Sequence, residues 1–178
     1  MGAAAVTMLG GAGGRLDRVV VQRCARAGVL VDEGGELSAS DVVVRDVRDD
    51  AEAGGRFGRG VAAQRGAHAA LTRVLVERTR AGGVLALDAD VDVTDSVIRD
   101  VLPQVSDRAF GNGLVAQGTA SARIARTTFE RTHEAAVAAT GGQLEIEDCL
   151  VRETLGVGLY VGDPSGVARV ARVRVEGA

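Results

Sequence analysis

Apolar and polar residues alternate along much of the chain, in stretches such as ELSAS (36–40), DVDVT (90–94) and QLEIE (143–147). This period of two predicts short, half-buried strands. A second pattern lies over it. One six-residue block recurs as RVVVQR (18–23), DVVVRD (41–46), RVLVER (73–78), DSVIRD (95–100), RTTFER (126–131), DCLVRE (148–153) and, in its last form, RVRVEG (172–177). Successive starts are 23, 32, 22, 31, 22 and 24 residues apart, a basic period of 22–24 with two longer intervals. Each block follows an alternating stretch, and each but the last precedes a short apolar run (GVLV, GVAA, GVLAL, GLVA, AVAA, GLYV). Three short strands per period suit a parallel β-helix coil, each strand lying about 4.8 Å from its counterpart in the next coil. The stretch GVAAQRGAHAALTRVLVERTR (60–80) also fits an amphipathic helix. Gly66 in its middle argues against that, as does the equivalent GLVAQGTASARIARTTFER (113–131), which has a different helical phase.

Aligning the coils predicts six inward columns. One runs Leu37/Ala69/Val91/Ala122/Leu144/Ala168, another Val21/Val44/Val76/Ile98/Phe129/Val151/Val175. Across all six, only Ser96 and Thr127 are polar. The charges repeat as well. The first block position reads Arg18, Asp41, Arg73, Asp95, Arg126, Asp148, Arg172. The fifth reads Gln22, Arg45, Glu77, Arg99, Glu130, Arg152, Glu176, and the sixth Arg23, Asp46, Arg78, Asp100, Arg131, Glu153. Stacked, these become three ladders whose sign flips at every coil. Opposite charges facing one another on neighbouring strands stabilise and like charges destabilise, so the alternation predicts a stack held against slipping by one coil.

Composition narrows the function. Of 178 residues, 46% are hydrophobic and 25% charged, with a net charge of −3, so the chain can bury a core and has no basic surplus for nucleic acid. All 21 basic residues are Arg, which excludes lysine Schiff bases and the Walker-type phosphate loop. Four aromatics are too few for a base-stacking platform. The opening MGAAAVTMLGGAGG lacks a basic segment and a long enough apolar run for a secretory signal, and no stretch approaches the roughly 18 apolar residues of a membrane-spanning helix.

The two long intervals hold the candidate binding surface. VRDDAEAGGRFG (47–58) and VLPQVSDRAFG (101–111) both end in Phe-Gly-x-Gly, at Phe57–Gly60 and Phe110–Gly113. They leave one edge two coils apart, about 10 Å along the axis, and insertions in solenoids gather on one face. The binding candidates are Asp49, Asp50, Arg56, Phe57, Arg59, Asp107, Arg108, Phe110 and Asn112. The alternative is that each Phe caps a neighbouring strand and the loop carries no ligand.

At these units the chain resembles the pectin-lyase-like superfamily of right-handed parallel β-helix proteins. It is most similar to Arg-rich secreted versions of myxobacterial type, through "GVLV…GGELSASDVVVRD" and "FGRGVAAQRGAHAALTRVLVER". The resemblance implies an all-β, right-handed parallel β-helix over 1–178, of about seven coils of 22–24 residues, two of them longer and loop-bearing. It also implies an extracellular or cell-envelope setting. The superfamily includes polysaccharide lyases, glycosidases and epimerases as well as non-catalytic proteins, so fold alone does not choose. Its polygalacturonase-like Gly-His-Gly step and Arg-x-Lys are missing, as is an epimerase-like Asp-Pro-His-Glu; the nearest string, GDPSG (162–166), reads as a turn at Pro164. No catalytic residue and no metal site is therefore expected.

Smaller features read the same way. His68 and His133 fall at different points of the coil, as solvent-facing residues rather than an acid/base pair. Asp88, Asp90 and Asp92 alternate in DADVD, where one outer face of carboxylates could recruit Ca²⁺; a solvated strand is the simpler account. Cys24 and Cys149 lie five coils apart, too far for a disulfide. Residues 1–14 read as a weak cap or partial coil, and the last block has no capping helix, which suggests a piece of a longer solenoid or end-to-end self-association. The expected function is a non-catalytic scaffold or interaction module that binds a polysaccharide or another protein through the 47–60 and 101–113 loops. A carbohydrate-active enzyme with an unrecognised site is the alternative.

Overall fold

The alternating stretches fold as strands that pair only with their counterparts one coil away. The computed structural model describes residues 4–163 and 166–177, so the turn expected at Pro164 lies outside the described residues. Three parallel sheets of seven strands form. The first holds the apolar runs: Val6–Met8, Ala27–Val31, Arg59–Gln64, Gly82–Leu87, Asn112–Gln117, Ala135–Thr140 and Val157–Gly162. The second holds the alternating stretches, from Gly13–Asp17 to Val167–Ala171, and the third the six-residue blocks, from Val20–Gln22 to Arg174–Glu176. Among the described residues there is no helix long and apolar enough to cross a membrane. The chain is a parallel β-helix.

The register follows the sequence columns. Leu37 pairs Ala69, Ala69 pairs Val91 and Val91 pairs Ala122, while Val44, Val76, Ile98 and Phe129 stack in the third sheet. Phe129 is fully buried. The two polar core residues are satisfied locally: Ser96 Oγ donates to Thr94 O at 2.7 Å and Thr127 Oγ1 to Ala125 O at 3.0 Å. Cys149 occupies the same column and its Sγ donates to Glu147 O at 3.1 Å. Both cysteines are free. In the last coil the inward-facing Val161, Val170 and Val175 are 45–49% exposed, against near zero in the middle of the stack.

A glycine column sets the distance between the first and third sheets. At Gly60 an added Cβ would lie 2.4 Å from Val76 Cγ1 and 2.6 Å from Gly83 O; at Gly113 it would lie 2.4 Å from Ala136 O and 2.7 Å from Phe129 Cδ1. Val44, Val76, Ile98 and Phe129 of the bulkiest inward column thus face glycines with no room for a Cβ, and one coil further on Ala136 takes the glycine position.

Two of the three charge ladders, the first and the sixth positions, take a left-handed backbone, while the fifth lies within the strands. All seven first-position residues and all six sixth-position residues have φ between 48° and 59°. This left-handed conformation costs an L-residue about 1–2 kcal/mol. Stacked bends point their side chains outward one above another, and the resulting ion pairs are side-on and bidentate. Arg73 Nε and Nη2 donate to Asp41 Oδ1 and Oδ2, both at 2.7 Å, and Arg126 grips Asp95 at 2.6 and 2.9 Å. Arg172 grips Asp148 at 2.5 and 2.9 Å.

The ladders do not bond continuously, which refines the expectation of sign-flipping columns. In the first and sixth columns each Arg from the third coil onward bonds Asp in the preceding coil, joining coils two to three and four to five, with Arg172–Asp148 joining six to seven, and Arg131 also lies 3.7 Å from Glu153 in the coil after it. The fifth column joins the other interfaces. Arg45 bonds Gln22 at 2.8 Å, Arg99 bonds Glu77 at 2.7 Å and Arg152 bonds Glu130 at 2.9 Å. Cross-links such as Arg78 Nη1–Glu77 Oε1 (2.6 Å) and the Arg131–Glu130 contact tie the columns into one zigzag. Every one of the six coil interfaces carries a staple.

Candidate functional site

The two Phe-Gly-x-Gly corners share one backbone. Phe57 and Gly58 take φ of 69° and 92°, and Phe110 and Gly111 take 67° and 96°. For a bulky aromatic this is an unusual conformation, and it is held from below. Gly58 N and Arg59 N both donate to Arg26 O, at 2.9 and 3.0 Å; Gly111 N and Asn112 N both donate to Ala81 O, at 2.9 and 3.3 Å. An added Cβ at Gly58 would come 2.7 Å from Arg80 Cβ, and one at Gly111 would come 2.7 Å from His133 Cβ.

The loops before these corners are fastened to each other. Ser106 N donates to Gly55 O at 3.2 Å and Val105 N to Asp49 Oδ2 at 3.1 Å. Arg80 spans both: its Nη1 donates to Pro103 O at 3.0 Å, and its Nε lies 3.7 Å from Asp49 Oδ2. Most of the acidic candidates are therefore spent inside the loops. Asp49 is almost enclosed, its Oδ1 buried without a partner, and burial pushes its carboxyl up against the opposing pull of Val105 N–H and Arg80. Asp50 is buried; its Oδ1 accepts from Glu52 N at 3.0 Å, and its N donates to Arg56 O at 2.9 Å. Asp107 accepts from Ala109 N and Gln104 Nε2, each at 2.9 Å, and these bonds hold its carboxyl below the usual range. Arg56 and Arg108 stay exposed.

Phe57, Arg59 and Phe110 instead line grooves on the outside of the first sheet, and Asn112, in the wall beside Phe110, is buried with its Oδ1 unpartnered. That surface is largely apolar, with Leu30, Ala62, Leu85, Val115, Ala138 and Tyr160 paired in register. It carries two grooves. The one beside Phe110, roughly 500 Å³, also has Tyr160, Gln117, Glu134 and Thr140 in its wall. Phe110 and Tyr160 are each 48% exposed, and Asn112 Nδ2 donates to Glu134 Oε2 at 3.2 Å. The groove beside Phe57, roughly 390 Å³, has Arg26, Arg59 and Arg65 around it. Phe57 is half-buried under two guanidiniums, Arg26 and Arg59 lying 5.1 and 5.2 Å from its ring centre. Thus Phe57 is covered by Arg26 and Arg59, while Phe110 keeps about half of its surface exposed.

The outer face of the second sheet differs. Arg123 sits between Asp92 (3.6 Å) and Glu145 (3.7 Å), and His68 Nε2 is 3.7 Å from Asp92. Asp88 does not share the strand face expected of DADVD. It forms the bend before Asp90–Thr94, at φ 50°, and its Oδ1 accepts from Thr119 N and Oγ1 at 2.9 and 3.1 Å. Among the described residues no three His, Cys, Asp or Glu side chains are placed to hold a metal ion. Arg26, Arg80, Glu134 and Tyr160 were not candidates on sequence, because each reaches the site from a different coil. The matching Gly-x-Gly contexts flagged the corners, but nothing local flags the residues stacked beneath and above them. No family model, curated protein or solved structure matches this chain.

Proposed function

We propose that the protein is a non-catalytic β-helix scaffold that holds a glycan along the outer face of its first sheet, at the edge built by residues 47–60 and 101–113. The observation that carries this reading is the groove at Phe110. Two half-exposed aromatic rings, Phe110 and Tyr160, share it with the amides of Gln117 and Asn112, the Thr140 hydroxyl and the Glu134 carboxylate. A concave, mainly apolar wall with a few converging polar groups is the usual make-up of a small-ligand site, and flat rings beside hydroxyl-pairing groups suit the faces and rims of sugars. The resemblance to the pectin-lyase-like superfamily supports the same ligand class. The non-catalytic part rests on Asp49, Asp50 and Asp107, whose carboxylates are engaged within the loops.

Titration calorimetry against a panel of neutral and acidic oligosaccharides tests this, with wild type and Phe110→Ala/Tyr160→Ala compared. Binding by wild type that the double variant loses, without new reducing ends or unsaturated products in the presence or absence of Ca²⁺, is the expected result. A panel that does not bind, or binding indifferent to both rings, removes the glycan reading. Product formation would transfer the protein to the carbohydrate-active enzymes.

A further inference from the structure

The other groove has a different chemistry. Six arginines of the ladders are neutralised at close range: Arg73, Arg78, Arg99, Arg126, Arg131 and Arg172 each have a carboxylate oxygen at 2.5–2.7 Å. Arg26 and Arg59 do not. Among the described residues neither forms an ion pair, and both lie over the Phe57 ring. A ring face attracts a cation but cancels none of its charge. Arg59 is also half-buried, and desolvation together with the Arg26 charge lowers its pKa. The acid lining this groove, Asp32, is already taken by Arg65 Nη2 at 2.6 Å. The backbone fixes the pair. Arg26 is a left-handed bend at φ 71° whose carbonyl accepts from Arg59 N, so the two side chains leave from hydrogen-bonded neighbours in adjacent coils.

We infer that Arg26 and Arg59 form an oxyanion site, receiving a carboxylate, sulfate or phosphate group of a ligand lying on the first sheet. Guanidinium forks match the planar or tetrahedral oxygens of such groups bidentately. The anion relieves the mutual repulsion of two cations held against one ring. The inference rests on the reading of this sheet face as a binding surface and adds a charge requirement to it. The Phe110 groove, with Glu134 in its wall, offers no such charge. A ligand spanning both grooves would present its acidic group at the Phe57 end and its hydroxyls at the Phe110 end.

The test is a titration of the full chain with inorganic sulfate and phosphate, followed through the Nε–Hε resonances of arginine, with chloride at matched ionic strength as reference. Saturable shifts confined to Arg26 and Arg59, weakened roughly tenfold or more in Arg26→Gln, are expected. Arg26→Lys, which keeps charge and loses the fork, should recover only part of the affinity. Shifts that merely track ionic strength, or that are unchanged in Arg26→Gln, overturn the site. A neutral oligosaccharide that binds at Phe110 while neither anion reaches Arg26 and Arg59 also overturns it and leaves the scaffold reading standing. Saturable anion binding without any glycan binding upholds the oxyanion site and removes the glycan reading alone. Trigalacturonate and glucose 6-phosphate then decide between carboxylate and phosphate sources, and binding of one of them should be lost in Arg26→Gln.

Discussion

Glu77→Gln tests how the coils are held together. Glu77 is the most enclosed acid in the zigzag, with its side chain 5% exposed. It takes two bonds from Arg99, at 3.0 and 2.7 Å, and a contact at 2.6 Å from Arg78. Burial alone would raise its pKa. The hydrogen bonds and charges of Arg99 and Arg78 outweigh burial and hold the carboxyl below its usual value. The amide keeps the size and one acceptor oxygen but no charge. Removing one partner of a fully buried ion pair costs about 3–5 kcal/mol. Here both arginines are more than a third exposed and can turn to water, so the loss falls nearer that of charged hydrogen bonds, about 2 kcal/mol. For a chain of this length that lowers Tm by about 4–8 °C. Circular dichroism melts measure the shift, and hydrogen exchange locates it. Protection should fall across Leu75–Arg80 and Val97–Leu102, the strands this staple joins, before it falls elsewhere. Asp95→Asn, at an exposed bidentate pair, should lower Tm less. Equal melting of Glu77→Gln and wild type, or an effect no larger than that of Asp95→Asn, refutes the view that the zigzag carries stability.

Other expectations follow from the same geometry. Asp46, Asp100 and Glu77 all have carboxyls held below their ordinary values, so the stability they supply is complete above about pH 4.5 and is lost as pH falls through their lowered folded values; acid titration should show this, less steeply at high salt. Gly113→Ala should cost about 3 kcal/mol or more in urea unfolding, since its Cβ meets backbone and Phe129, whereas Gly66→Ala, in open space at φ 76°, should cost about 1 kcal/mol. Cys24 and Cys149 both have thiol pKa values raised chiefly by burial, so a thiol reagent at pH 8 should label them slowly in the folded protein and both at once in denaturant. Deleting 48–56 should leave the far-UV spectrum intact, because the strands Val43–Val47 and Arg59–Gln64 keep their partners, while weakening glycan binding, since the loop that carries Phe110 loses the Asp49 and Gly55 contacts to Val105 and Ser106.

The spacing of the six-residue blocks was enough to read the three sheets, the inward columns and the pairing of Arg73 with Asp41. Periodicity reports which residues stack, and stacking sets most of this fold. It does not report φ. Arg is a poor left-handed residue, so nothing local announces that Arg18, Arg73 or Arg126 forms a bend; the bend exists because coils above and below share it. The glycine column was visible as the Gly of GVLV, GVAA, GVLAL and GLVA, yet its meaning depends on Val76 and Phe129 across the core. At the site, the repeated Phe-Gly-x-Gly marked the right corners. The acids beside them looked available because a sequence shows Asp49 and Asp107 but not the Val105 and Ala109 amides that occupy them.

The alternation of staples also constrains how such a chain can lengthen. Because coils with Asp bends and coils with Arg bends take turns, a gene duplication that copied one coil would set guanidinium over guanidinium, or acid over acid, at three positions at once. Copying a pair of coils preserves every contact. The heritable unit of this tower is therefore the doublet of about 53–55 residues, and unequal crossing-over that adds or drops an odd number of turns should leave a seam where the protein comes apart.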